Sequence, residues 1–275
     1  MENSIPALLR SHGLHARKHL GQNFLADPAI LERIVAAADL SRQDTVLEAG
    51  AGLGSLTRPL ARQAGRVVAV ELDDHLVEIL RERTAGLPNV EILHADILRV
   101  SDFGLHHRNY KLVGNLPYYI TSAILRRFLE RKPQPELMVV TVQREVANRI
   151  VAGPGEMSLL AVSVQFYGQP RIVTRIKAGA FYPPPKVDSA VLRIDIGKQP
   201  AVALPSGQDE TGYFRVVRAG FGQRRKTLRN ALSAGLGMSS EQVENALART
   251  GIDPRRRAQT LSLQEWAEAT QALEA

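Results

Sequence analysis

The chain of 275 residues contains no cysteine. That absence removes disulfides, thiol nucleophiles and cysteine-ligated zinc, and it fits a reducing, cytoplasmic setting. No apolar stretch approaches a membrane span, and the N-terminus lacks the hydrophobic region of a signal peptide. Residues 3 to 26 hold no Asp or Glu, yet carry Arg10, Arg17, Lys18 and three histidines. Transit peptides share that bias, but this stretch also contains an ordered motif. Internal repeats and low-complexity tracts are missing as well. The histidines form no metal set, because His106-His107 and His94-Ala-Asp96 lack a third ligand. No Ser/His/Asp grouping stands out, so neither a metal nor that kind of nucleophilic catalysis is expected.

What is present points elsewhere. A formal charge of +7 calls for a polyanionic partner, nucleic acid before a membrane surface. No clean basic amphipathic helix supports the membrane. The length allows one large domain, or one with a smaller companion.

Alternating elements fill the first two thirds of the chain. Asp27-Pro28 starts a helix, with Asp as N-cap and Pro in the first turn, and Ile30, Leu31, Ile34 and Val35 line one face. Strands are expected at Thr45 to Glu48, Val67 to Glu71, Val90 to Leu93, Tyr110 to Gly114 and Leu137 to Val142, with helices between them. This alternation gives a parallel sheet covered on both faces. Arg171 to Ile176 and Val187 to Ile196 follow as two strands with no helix between them, expected as antiparallel neighbours. Residues 197 to 212 read as a linker, and the remainder as helical. Residues 213 to 275 hold ten Arg/Lys against six Asp/Glu, a net of +4.

Gly50-x-Gly52-x-Gly54 sits between a strand and a helix, where glycines let the backbone turn tightly and approach a ligand. The spacing is neither that of dinucleotide enzymes nor, without Lys-Ser/Thr, a P-loop. Glu71 ends the second strand, where a carboxylate can accept both ribose hydroxyl protons. Asp96 follows the third, where one can accept from an adenine amino group. Together they suit an adenosine with an unphosphorylated ribose. An NAD enzyme stays open, though no hydride-transfer partner stands out.

Asn115-Leu116-Pro117-Tyr118 lies at the end of the fourth strand, where open α/β sheets place ligands. It offers a side-chain amide, a backbone carbonyl, a rigid proline and an aromatic face, a set that suits a flat base bearing an amino group. The same residues also make a plausible turn.

Taken together, Gly21-Gln22-Asn23-Phe24-Leu25, Val46 to Gly54, Glu71-Leu72-Asp73, Asp96, Asn115 to Tyr118, Phe181 to Ser189, Phe221 to Asn230 and Gly251 to Pro254 give the chain a resemblance. It resembles the ribosomal RNA small-subunit adenine dimethyltransferases, the KsgA/RsmA family, over nearly its full length. The family usually shows Ile-Gly-Pro where this chain has Ala49-Gly50-Ala51, which loosens the loop while keeping its glycines.

The resemblance implies a Rossmann-like class I methyltransferase, a seven-stranded sheet with a small C-terminal all-helical domain. Its divisions are a basic segment with a cofactor-closing motif (1–27), a methyltransferase domain (28–196), the linker (197–212) and a helical RNA- and ribosome-binding domain (213–275). S-adenosylmethionine is the implied cofactor, with Asn23 and Leu25 closing the pocket, Gly50 and Gly52 in the loop beside its methionine part, Glu71 on the ribose, Asp96 on the adenine, and Asn115 between cofactor and target. Asn115 and Leu116 would accept from the adenine amine, Tyr118 would stack on the base, and Pro117 would stiffen the turn. Phe181 is the candidate for the opposite face, its alternative being a core residue at a strand end. Arg224, Arg225, Lys226, Arg229, Arg255, Arg256 and Arg257 are candidate phosphate contacts; a solvated helical face is their alternative.

The implied substrate is 16S rRNA in the 30S subunit or its assembly intermediate, with two adjacent adenosines of the 3′-terminal hairpin loop dimethylated by a monomer. Two rivals remain: a 23S rRNA adenine methyltransferase of the antibiotic-resistance type, and a non-catalytic assembly or transcription factor on the same fold.

Overall fold

The computed structural model describes residues 4–17, 21–105, 110–204 and 209–274. Lys18, the His106-His107 pair and part of the linker lie outside them. The chain divides into two compact units, and the division is not sequential. One comprises residues 1–147 and 169–196; the other comprises 148–168 and 197–275.

The first unit opens with helix α1 (Ile5–Ser11), capped by Ser4. Strand β1 (Phe24–Leu25), helix α2 (Pro28–Ala37), β2 (Thr45–Ala49), α3 (Thr57–Gln63), β3 (Arg66–Glu71), α4 (Asp74–Thr84) and β4 (Val90–His94) follow. Then come β5 (Tyr110–Asn115), α5 (Thr121–Glu130), β6 (Leu137–Gln143) and α6 (Arg144–Ile150). The α2 N-terminus forms as its sequence dictates: Asp27 Oδ1 accepts from the N–H groups of Ala29 and Ile30 at 2.9 and 3.4 Å.

After α7 (Leu159–Tyr167) come β7 (Gly168–Ile176), β8 (Phe181–Tyr182) and β9 (Ser189–Ile196). The main sheet has seven strands in the order β4-β3-β2-β5-β6-β9-β7. Strands β4 to β6 are mutually parallel, and β9 runs antiparallel to β6. Strand β6 is buried at every residue but its last, as expected of a central strand covered on both faces. A second sheet pairs β1 with β8, Phe24 opposite Tyr182 and Leu25 opposite Phe181. Two-residue strands are too short to carry a period, and nothing in the sequence foretold this pairing.

Helix α1 has no counterpart among the elements expected from the sequence. Ile5 and Leu9 pack with Phe24, Leu53, Leu76 and Ile79, so the acid-free segment is part of this unit's core.

In the second unit α7 joins α8 (Glu210–Phe221), α9 (Leu228–Leu236), α10 (Ser240–Arg249) and α11 (Leu263–Glu274). Its core is aromatic: Phe166 stacks on Tyr213 at 4.7 Å between centroids, and Phe214 meets Phe166 edge-on at 5.0 Å. Trp266 is fully buried, its ring against Gly220, where a Cβ would come within 2.3 Å.

Candidate active site

The strand order reverses between β2 and β5, so the crevice at their carboxyl ends is the topological switch point of the sheet. Both walls of the cavity found there start from that reversal. From β2 the chain enters the glycine loop, where the N–H groups of Gly50 and Ala51 both donate to the Val70 carbonyl at 3.0 Å. Gly50 and Gly52 have φ of +73° and +56°, which side-chain-bearing residues rarely adopt. A Cβ on Gly52 would also lie 3.3 Å from the Phe24 ring.

Glu71, at the end of β3, braces this loop. Its Oε2 accepts from Gly52 N at 2.8 Å, and its Oε1 from Leu72 N and Asp73 N at 2.8 and 2.9 Å. Burial raises its pKa above the usual carboxylate range despite these three donors, and the Asp73 charge adds to the rise. Beside it, Glu48 is 1% exposed and its Oε2 has no hydrogen-bond partner among the described residues. Burial pushes the Glu48 pKa up to about 8, with Thr57 opposing and the Glu71 charge adding.

Asp96 lies just beyond β4, where its Oδ1 accepts from Leu98 N at 2.9 Å and its Oδ2 faces Arg99 at 3.3 Å. Glu48, Glu71 and Asp96 all line the cavity, and no Lys, Arg or His does so among the described residues. In a chain of net charge +7, that local bias is informative. A pyrophosphate would meet three carboxyl groups and no cation, which weighs against a dinucleotide. A cationic, unphosphorylated adenosine derivative suits such a lining.

The opposite wall is the β5 end. Asn115 Nδ2 donates to the Asn23 carbonyl at 2.8 Å. Because a carbonyl can only accept, this bond fixes the amide orientation and leaves Asn115 Oδ1 an acceptor with no partner among the described residues. The Leu116 carbonyl likewise accepts no hydrogen bond from the described residues. Both residues line the cavity, together with Pro117 and Tyr118. The Tyr118 hydroxyl lies 2.6 Å from Ser189 Oγ on β9, and burial raises the phenol pKa.

Asn23 and Leu25 line the same cavity. The Asn23 side chain donates to Gly21 O at 3.1 Å, and Leu25 is buried against the core. This strip is anchored from Asp73: Gln22 Nε2 donates to Asp73 Oδ2 at 2.8 Å, and Arg17 pairs with the same oxygen at 3.3 Å.

The structure therefore brings together Asn23, Leu25, Gly50, Gly52, Glu71, Asp96 and Asn115 to Tyr118. It does not bring Phe181 with them. Strand alternation turns Phe181 inward, 3% exposed among Leu25, Ile34 and Val35, and leaves the exposed face of β8 to Tyr182. The alternative of a core residue at a strand end is the one its geometry follows.

The basic candidates, all in the second unit, also divide. Arg224, Arg225 and Lys226 are exposed on the turn between α8 and α9, and with Arg257 they have no ion pair among the described residues. Arg229 pairs with Glu244 at 2.7 Å and Arg255 with Asp253 at 3.1 Å. Arg256 is held by Glu265 and Thr260, which makes it an internal brace. Glu48, Ser189 and the Gln22–Asp73 tie add to the residues expected from the sequence. A carboxyl inside an apolar strand, two residues before the first glycine, was the one available signal.

A mixed seven-stranded sheet that reverses at a glycine loop and carries acids at successive strand ends has the architecture of the class I methyltransferases. In overall structure the chain is similar to the 23S rRNA methyltransferase ErmE, with a TM-score of 0.72 and 30% identity over 92% of this chain and 100% of that one. It shares the fold of a dimethyladenosine transferase from Plasmodium falciparum at a TM-score of 0.73 and 23% identity, over 90% and 95% of the two chains. In sequence it is 53% identical to the ribosomal RNA small subunit methyltransferase A of Dehalococcoides mccartyi strain 195, over 94% of this chain and 89% of the relative. It is 46% identical to the protein of that name from Pelotomaculum thermopropionicum, over 94% and 92%. The ribosomal RNA adenine dimethylase model matches residues 13–274, and the chain belongs to that family.

Proposed function

We propose that this chain transfers methyl groups from S-adenosylmethionine to the N6 amines of two adjacent adenosines in the 3′-terminal hairpin loop of 16S rRNA. It acts as a cytoplasmic monomer on the 30S subunit or its assembly intermediate, during small-subunit biogenesis. The observation that carries this reading is the pair of acceptors at the end of β5 with no partner among the described residues, Asn115 Oδ1 and the Leu116 carbonyl.

An exocyclic adenine amine is a poor nucleophile because its lone pair is delocalised into the ring. Its two hydrogens need two acceptors if the nitrogen is to become tetrahedral and its lone pair is to leave the ring plane. Asn115 and Leu116 supply them from a rigid strand end, which is positioning and electrostatic preorganisation rather than base catalysis. Tyr118, tethered to Ser189, offers the stacking face, and Pro117 fixes the turn between them.

When bound, the cofactor supplies an electrophilic methyl group on a positively charged sulfur. Glu71 has acceptor capacity left for its ribose, Asp96 for its adenine amino group, and Gly50 and Gly52 leave the loop backbone open to its methionine part. Asn23 and Leu25 close that side. Arg224, Arg225, Lys226 and Arg257 are the proposed phosphate contacts, each worth a unit of counterion release in the salt dependence of binding.

A labelled-methyl assay on undermodified 30S subunits tests the proposal, with the modified positions mapped. Two adjacent dimethyladenosines in the hairpin loop are expected. Transfer to protein-free 23S RNA instead would favour the resistance-type reading. Cofactor binding without any transfer would favour a non-catalytic factor.

A further inference from the structure

Tyr118 and Tyr119 are consecutive, but the fold treats them oppositely. They open a 3₁₀ turn (Tyr118–Ile120), in which successive side chains point about 120° apart at three residues per turn. Tyr118 is half-buried and its hydroxyl is tied to Ser189. Tyr119 also lines the cavity, yet it is 61% exposed, more than any other large hydrophobic side chain among the described residues. Its hydroxyl makes no hydrogen bond to a described residue. One edge of its ring is supported by Gly21, whose φ is +64°. A Cβ there would sit 3.3 Å from Tyr119 Cδ1 and Cε1, so a side chain at position 21 would push the ring away.

A supported aromatic ring at the rim of this cavity, with most of its surface in water, has the features of a stacking platform. We propose that Tyr119 forms a second subsite, binding an unpaired nucleobase of RNA next to the base that enters the cavity. This rests on the cavity being the site of a flipped adenine, and it adds where the neighbouring nucleotide goes. Extruding one base costs a few kcal/mol of lost stacking and strips a partner from its neighbour. Tyr119 replaces that partner, and it does so for any base, because each has a π-face. With two adjacent targets, the base stacked on Tyr119 in one round is the candidate for the cavity in the other.

The test uses an RNA hairpin carrying 2-aminopurine beside the target adenosine, and the full chain as wild type, Tyr119→Phe and Tyr119→Ala. Wild type and Tyr119→Phe are expected to quench the 2-aminopurine. Tyr119→Ala is expected to lose the quench and to bind the hairpin about 5- to 150-fold more weakly, corresponding to roughly 1–3 kcal/mol of stacking per base. Unchanged thermal melting excludes misfolding. On a hairpin with an abasic neighbour, wild type and Tyr119→Ala should bind equally. Full quenching by Tyr119→Ala, or the same affinity loss on the abasic hairpin, would overturn the proposal. Absence of methyl transfer by the wild type to undermodified 30S subunits would instead sink the reading of the cavity, while quenching still decides on Tyr119.

Discussion

Replacing Phe181 separates two uses of an aromatic ring that give different numbers. In the structure the ring is 3% exposed, its backbone pairs with Leu25, and it belongs to a core cluster that also holds Ile34 and Val35. Truncation to Ala at such a position costs about 3–5 kcal/mol, because the surrounding side chains relax only partly into the void. Replacement by Leu keeps most of the volume and costs less than about 1.5 kcal/mol. At roughly 2–4 °C per kcal/mol for a domain of 150–250 residues, Phe181→Ala melts about 6–20 °C lower and Phe181→Leu a few degrees lower. If the ring contacted the target base, its loss would weaken RNA binding by roughly 1–3 kcal/mol, or about 5- to 150-fold in KM. The assay pairs thermal denaturation with labelled-methyl transfer at varied RNA concentration. The buried position predicts that Phe181→Leu keeps the RNA KM within two-fold while losing a little stability. A variant that melts like the wild type but needs ten times more RNA would refute the argument.

Three further changes follow from the same geometry. Asn115→Ala should nearly abolish transfer with cofactor affinity within a few fold; Asn115→Asp, which keeps an acceptor but turns an oxygen towards the Asn23 carbonyl, should slow transfer by about 10²-fold or more, and near-wild-type turnover by either would sink the acceptor role. Ser189→Ala frees the Tyr118 phenol and removes a hydrogen bond worth about 0.5–1.5 kcal/mol. It should raise the RNA KM about two- to ten-fold, Tyr118→Phe should match it, and the double variant should go no further; additive effects would show that the two act separately. Glu48→Gln mimics the protonated acid. Because the folded pKa of Glu48, about 8, exceeds its ordinary value of 4.5, the folded state holds the extra proton between those values, and wild-type stability falls as pH rises through that window. The difference in melting temperature between the variant and the wild type should therefore shift in favour of Glu48→Gln from pH 4.5 to 8 and level off above; a pH-independent difference would contradict a buried, proton-holding Glu48.

Much of the first unit was legible because its signals are local. Apolar runs marked the parallel strands, Asp27-Pro28 marked α2, and glycines and acids at strand ends marked the loop and the pocket. What stayed hidden depends on partners far apart in sequence. Asn115 and the Asn23 carbonyl are joined by a bond spanning 92 positions, and Tyr118 and Ser189 by one spanning 71. Neither shows in a window of a dozen residues. Phe181 was ambiguous because an aromatic residue at a strand end reads the same whether it faces a ligand or the core, and only the pairing of β8 with β1 sets its side. The basic tail shows the same limit: composition counts Arg256 with Arg257, but Glu265 and Thr260 hold one and leave the other in solvent.

The charge distribution explains why an amide, rather than a carboxylate, suits position 115. The cavity already gathers Glu48, Glu71 and Asp96 without a lining cation among the described residues, and burial already holds the pKa of Glu48 and Glu71 above the carboxylate range. A further carboxylate there would add like charge in a poorly solvated space and would raise those values further. It would also attract a proton, becoming a donor where the amine needs an acceptor. An amide accepts at any pH, and one of its Nδ2 hydrogens is held by the Asn23 carbonyl, which keeps Oδ1 turned the other way. The same lining, with no cation among the described residues, would offer a phosphate no counter-charge while leaving an uncharged base free to enter.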